Sequence, residues 1–595
     1  MEKTMTGAED VHWDLTDLYP NTARLEENLA RADRDAETFA GQYRGQVAAL
    51  SASDLVEALR LFEDVQDRVG RAFTYVYLNW STNTNDAERG ALLQKVREAY
   101  TQISKKMIFF ELEWTHLDDD HAARLLDDAA LAGSRHYLEQ QRLFKDHLLS
   151  EPEEQVLAET DVTGRSAWNR FFDETVGAMR FDLDGETVTQ QEILARLYEP
   201  DRDLRRRAAL RFTEGLQAHQ RPLTYIFNTL LADKAARDRM RSYPHWLASR
   251  NLSNEVTDET VDALVGAVTS RFDLVARFYR LKRRLLGLDE LFDYDRYAPV
   301  GEASTQYDWG EARDLVLRSY SAFHPKMGKI AGAFFEGRWI DAAVAPGKHG
   351  GAFSHGAVPS AHPYVLMNYT GKVRDVQTLA HELGHGVHQF LARKQGVLQA
   401  DTPLTTAETA SVFGEMLVFQ RLMQEEESPQ NKLAMLVSKI DDTIATVFRQ
   451  VAMNRFENRI HTARREQGEL SAEQLSDCWI ETQTAMFQGS VTLGQHYRHW
   501  WSYIPHFLHT PGYVYAYAFG ELLVLALYAR YREEGDAFPD KYLGLLEAGG
   551  SDWPHVLVGR LGIDLTDLGF WHQGLTAVGD LIAQAEELAT AGANG

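Results

Sequence analysis

A chain of 595 residues, 44% hydrophobic and 25% charged, is too long for a single hydrophobic core and too apolar for a disordered or fibrous protein. Its 62 basic against 87 acidic residues leave a net charge of −25, which argues against nucleic acid or an anionic membrane as a partner. Cys478 is the one cysteine, the N-terminus lacks a basic start followed by an apolar core, and no apolar run approaches the ~20 residues that span a bilayer, so we expect a cytoplasmic protein.

In chain order, Arg24 to Gln42, Ser53 to Leu78, Asp86 to Leu117 and Leu204 to Met240 carry apolar residues at three- and four-residue spacing and predict long amphipathic helices. Met179 to Val188, with Asp184-Gly185 in the middle, predicts a small hairpin. The break at Glu199-Pro200-Asp201 sets the expected domain boundary: an N-terminal helical lobe over 1–200 and a catalytic lobe over 201–595. Arg205-Arg206-Arg207 reads as a solvated helix face in preference to an anion site. Tyr364 to Tyr369, reached through the Gly-rich stretch Pro346 to Phe353, predicts a strand whose free backbone groups could pair with an extended peptide.

The next segment, Thr378 to Arg393, reads as a helix containing His381-Glu382-Leu383-Gly384-His385. Residues four apart on a helix are separated by about 6 Å of rise and about 40° of rotation, so both imidazoles can face one metal ion. Glu382 then lies beside that ion as the candidate base for a water activated by the metal, the chemistry of a zinc peptidase. The competing reading is a helix with two histidines on a partly exposed face.

A catalytic zinc ordinarily has three protein ligands and one open position. His388 lies on the same helix face as His381 and His385 but cannot close a tetrahedral site with them, which leaves it a packing or supporting role. The metzincin pattern HExxHxxGxxH fails at His388 and Leu391, and the short-spacing thermolysin-like position is Thr405. Gly396 ends the motif helix, Asp401-Thr402-Pro403 makes a turn, and Thr405 or Thr406 caps a second helix beginning Ala407-Glu408. Glu408 and Glu415 then lie two turns apart on one face, Glu408 as the third ligand and Glu415 hydrogen-bonded to a ligand histidine.

His381 to His385 together with Glu408-Thr-Ala-Ser-Val-Phe-Gly-Glu415 resembles the thimet oligopeptidase and oligoendopeptidase F family of zinc metallopeptidases, closer to the oligoendopeptidase F branch. Trp13 to Pro20, Tyr77 to Asn85, Gly347 to Phe353 and His362 to Tyr369 are similar to stretches of that branch, so the likeness spans nearly the whole chain. The resemblance implies a mainly α fold: a two-lobed helical ellipsoid with a deep central substrate channel and a small β-sheet beside the HExxH helix. It also implies one Zn2+ per chain and short unstructured peptides as substrates of an endopeptidase, acting as a monomer or homodimer.

The family places a histidine and tyrosines near the C-terminus over the scissile bond. Carried onto Pro505 to Gly520, His506 matches the histidine and Tyr513 and Tyr517 the tyrosines, with His509 and Tyr515 as competing candidates. Gly512 stands where the branch often has Phe, at an expected substrate-facing surface. The rival activity is a carboxypeptidase, for which Arg498 is the available cation to grip a terminal carboxylate. A rival class is a non-catalytic peptide-binding protein.

Overall fold

The computed structural model describes residues 5–301 and 305–593. Helices Thr22–Tyr43 and Ala52–Ser81 form where the periodicity places them, with Asn21 and Ser51 accepting from the backbone N–H groups of Arg24 and Asp54. The stretch from Asp86 to Leu117 is two helices, Ala87–Met107 and Phe109–Thr115, separated at Ile108. Leu204 to Met240 is likewise two, Arg202–Ala218 and Gln220–Met240. Pro222 accounts for the second break: it has no N–H to donate and its ring excludes the carbonyl four residues earlier. The expected mainly α fold holds, with only two small sheets among the described residues.

Two compact units divide the chain, and both are discontinuous: Met1–Lys145, Thr305–Glu425 and Arg530–Ile563 form the first, and Asp146–Ser304, Glu426–Ala529 and Asp564–Gly595 the second. The expected boundary at residue 200 is not followed. Glu199-Pro200-Asp201 is a local turn in which Asp201 caps helix Arg202–Ala218. Residues on both sides of it, among them Phe172, Phe181, Phe212 and Leu216, share one core.

In the first unit, Phe39, Phe62 and Phe110 meet at centroid distances of 5.4 to 5.9 Å in the core of the N-terminal helices. Strands β3 (Ile340–Asp341), β4 (Phe353–His355) and β5 (Tyr364–Leu366) form a sheet in the order β3-β5-β4, β3 parallel and β4 antiparallel to β5. This corrects the reading of Tyr364 to Tyr369 as the peptide-pairing edge. β5 is central and fully buried, as a continuous apolar run allows, and the edge beside the motif helix is β4.

In the second unit, β1 (Phe181–Leu183) and β2 (Glu186–Val188) are the predicted hairpin, with Asp184 and Gly185 at φ 56° and 87°. In the tri-arginine run Arg206 and Arg207 are exposed, as a solvated helix face requires, and Arg205 is the exception. Arg205 is buried and donates to Asp295 at 2.9 Å and to the carbonyls of Glu199 and Pro200. An arginine is tolerated there because Asp295, itself buried, neutralises it. Among the described residues no helix is long and apolar enough to cross a membrane.

Candidate metal centre

Helix Val373–Ala392 carries the HELGH motif. Its start is fixed by Asp375, whose carboxylate accepts from the backbone of Thr370 and Lys372, and it ends in a short turn at Gly396, φ 79°. Helix Ser411–Glu425 packs across it at unusually close range. A Cβ on Gly384 would lie 2.4 Å from the Ala410 carbonyl oxygen, and one on Gly414 would lie 2.1 Å from the Tyr320 hydroxyl. The Tyr320 hydroxyl in turn donates to the Ala380 carbonyl of the motif helix.

Glu408 does not begin the second helix. It follows the short turn Leu404–Ala407 and precedes the start of the helix at Ser411, so Glu408 and Glu415 do not share one helix face. The break is what aims Glu408. Ser411 donates from its hydroxyl to the Glu408 carboxylate at 2.7 Å, holding it against the motif helix. The Oε2 atom of Glu408 lies 3.4 Å from Nε2 of His381 and 3.3 Å from Nε2 of His385, and Glu415 Oε2 lies 3.4 Å from Nδ1 of His381.

The donor set of two imidazole nitrogens and one carboxylate oxygen, all within 4.8 Å of one another, fits a single metal ion. The electrostatics of the three donors and their neighbours are strongly coupled. Burial opposes a charge on His381, but Glu415, Glu408 and Glu382 together outweigh it and raise its pKa to about 9. Burial would raise Glu408, yet the hydrogen bond from His385 and the charges of both histidines hold it down at about 2. Glu382 is pushed up by burial, against the lowering influence of His381 and His385, and accepts from the backbone N–H of Ser354 in β4. His388 is buried and held down to about 4 by that burial and by His385, so it is a neutral group, and it is not one of the three residues whose donor atoms converge.

His506, Tyr513 and Tyr517 belong to the second unit and gather there. His506 Nε2 lies 3.5 Å from the Tyr517 hydroxyl, the His506 and Tyr513 rings are parallel within 4° at 6.4 Å, and the two tyrosine rings are 4.9 Å apart. The competing candidates are engaged elsewhere: His509 pairs with Asp173 at 2.8 Å, and the fully buried Tyr515 hydroxyl bonds Asn251 and Asn254. Gly512 is not substrate-facing. It is buried at φ 78° with its N–H on Glu457, and a Cβ there would lie 2.5 Å from Leu247. Arg498 is paired with Asp477.

Sequence reasoning missed Ser411, Tyr320 and the backbone of Ser354 as the groups that orient the centre. The one signal available was a glycine in each of two adjoining helical segments, Gly384 and Gly414, which marks a close helix crossing.

Comparison with known proteins matches residues 195–576 to the model of peptidase family M3 and residues 113–181 to that of oligopeptidase F. Oligopeptidase PepF of Bacillus subtilis is 29% identical over 95% of this chain and 85% of its own length. Group B oligopeptidase PepB of Streptococcus agalactiae is 26% identical over 98% of both chains. Among solved structures, one from Chlamydophila abortus superposes with a TM-score of 0.89 at 24% identity, covering 98% of this chain and 99% of its own. Oligoendopeptidase-F from Enterococcus faecium superposes with a TM-score of 0.71 at 22% identity, covering 96% and 99%.

Proposed function

The chain belongs to peptidase family M3, in its oligoendopeptidase F branch, and from that membership we propose that it is a zinc-dependent endopeptidase hydrolysing internal bonds of short, unstructured oligopeptides. The observation that carries this reading is the convergence of His381, His385 and Glu408 on one point, with Glu382 adjacent in the motif helix. A zinc ion held there supplies Lewis acidity toward the peptide carbonyl and makes a water nucleophilic near neutral pH.

The remaining work belongs to side chains of this protein. Glu415 accepts a hydrogen bond from the Nδ1–H of His381, which fixes the tautomer and leaves Nε2 free to bind the ion. Glu382 takes the proton from the attacking water at a carboxylate oxygen and returns it to the leaving amine. Its burial, which raises the pKa, suits a group that must both accept and release a proton, and the Ser354 N–H keeps the carboxylate oriented. We assign His506, Tyr513 and Tyr517 as donors to the developing oxyanion. That role rests on the family resemblance and on their gathering within the second unit. Cysteine poverty supports a reducing, cytoplasmic setting.

The test is an internally quenched peptide blocked at both ends. We expect hydrolysis that stops with a chelator, returns with Zn2+, and tracks one bound zinc per chain by elemental analysis. Full activity in chelator would sink the metal mechanism. The blocked ends also separate the carboxypeptidase reading, which the pairing of Arg498 with Asp477 disfavours: an endopeptidase cleaves this peptide into two fragments, whereas a carboxypeptidase leaves it intact and gives a ladder only on a peptide with a free C-terminus.

A further inference from the structure

We propose that the cavity beside Glu382 is a substrate subsite that selects a positively charged group, with Asp401 as its counter-charge. The inference rests on the reading of Glu382 and His385 as active-site groups. The cavity measures about 490 Å³, lies wholly within the first unit, and is lined by Phe353, Ser354, Glu382, His385, Gln389 and Asp401 among others. That volume lies within the range of sites for small organic groups and exceeds that of any one side chain.

Most polar groups on its walls are already committed. The Ser354 hydroxyl donates to Gln389 Oε1 at 2.8 Å, the Ser354 N–H serves Glu382, and His385 faces Glu408 at 3.3 Å. Asp401 differs. It is an exposed residue whose carboxyl pKa is raised by the protein packed around it, and among the described residues no hydrogen bond or ion pair engages it. The loop holds it in place all the same. Ala400 N–H bonds the Gly396 carbonyl at 3.0 Å, and the N–H of Gly550 bonds the Gln399 carbonyl at 2.9 Å. Gly550 also sits so tightly on the Asp401 backbone that a Cβ there would lie 2.1 Å from its carbonyl oxygen.

A fixed, uncommitted anion on the wall of a cavity that reaches the catalytic glutamate attracts an ammonium or guanidinium, and the concave wall strengthens that field over a flat surface. The cation could be a Lys or Arg side chain near the scissile bond or the free α-amino group of the peptide. Both present the same chemistry.

The test compares the zinc-loaded wild type with Asp401→Asn and Asp401→Lys on N-acetylated quenched peptides that differ only in Lys, Leu or Glu at each position flanking the cleaved bond. A free-amine version of the Leu peptide is added. The kcat/KM ratio of Lys to Leu at one position, or of free amine to acetyl, should fall at least roughly threefold in Asp401→Asn, the size expected of a partly solvated ion pair. In Asp401→Lys the Lys-to-Glu ratio should invert. The ratio that moves identifies the source of the cation. Equilibrium binding of the same peptides to the Glu382→Gln chain gives a readout independent of turnover, and the Kd preference for Lys over Glu should weaken with added salt. If every ratio is unchanged in both variants and binding shows no salt-sensitive preference, the subsite is refuted. Loss of the endopeptidase reading would instead show as wild type failing to cleave even the acetylated Leu peptide.

Discussion

At the scale of residues, the two glutamates nearest the motif histidines are separated by their surroundings. Glu408 is stripped of its proton by two imidazoles and a serine hydroxyl, which is the state a metal ligand needs. Glu382 is pushed the other way by burial, which is the state a proton carrier needs. Their variants should therefore fail differently. Glu382→Gln keeps the metal and lowers kcat by about 100-fold or more, the range for losing a general base. Glu408→Ala loses the metal itself, read by elemental analysis after gel filtration. Wild-type zinc content in Glu408→Ala would move the third ligand elsewhere.

At the scale of elements, the centre depends on how closely two helices approach. Gly384 lies within the motif, between the two motif histidines, and its missing side chain lets the backbone of Ala410 and Ser411 come against it. This contact brings Glu408 to the histidines from one side and Glu415 from the other. Gly384→Ala should separate the helices, destabilising the protein by about 1–3 kcal/mol, as expected for overpacking against backbone, and lowering zinc occupancy at limiting metal. A variant with wild-type melting temperature and full zinc would show that the glycine crossing does not set the ligand positions. The edge strand is governed by the same layering: β5 fills the centre of the sheet, so β4 is the strand that borders the cavity and reaches Glu382.

At the scale of the whole molecule, each compact unit collects distant stretches of chain, and the second buries a carboxyl group, Glu457, that makes its stability depend on pH. Glu457 is fully buried; one oxygen accepts from Gly512 at 2.8 Å and the other has no protein partner. Burial raises its pKa to about 8, despite the Gly512 N–H, Arg250 and Lys234. With the folded pKa above the unfolded one of 4.5, the folded state holds a proton that the unfolded chain releases. The stabilisation is complete below about pH 4.5 and is lost as pH rises to about 8, at up to about 1.4 kcal/mol per pH unit. Glu457→Gln keeps the neutral form at every pH. Its melting temperature relative to wild type should climb between pH 5 and pH 8.5, and a difference that stays constant would mean Glu457 does not titrate in that window.

The sequence by itself determined the helical class, the hairpin at Asp184-Gly185, the end of the motif helix at Gly396, and the proposed metal-binding residues His381, His385 and Glu408. These are written in short-range terms: helical periodicity, turn chemistry, the four-residue spacing that lets one helix present His381 and His385 to an ion, and a carboxylate shortly after that helix ends. Tertiary structure alone decided the rest. It made β4 the edge, buried Arg205 against Asp295, split the chain into interleaved units, and placed Glu408 in a break between helices where Ser411 could aim it. It also drew His509 to Asp173 and Tyr515 to Asn251 and Asn254, leaving His506 with Tyr513 and Tyr517. The physical reason is common to all of them. Burial, ion pairing and strand order depend on which distant segments meet, and local pattern carries no record of that.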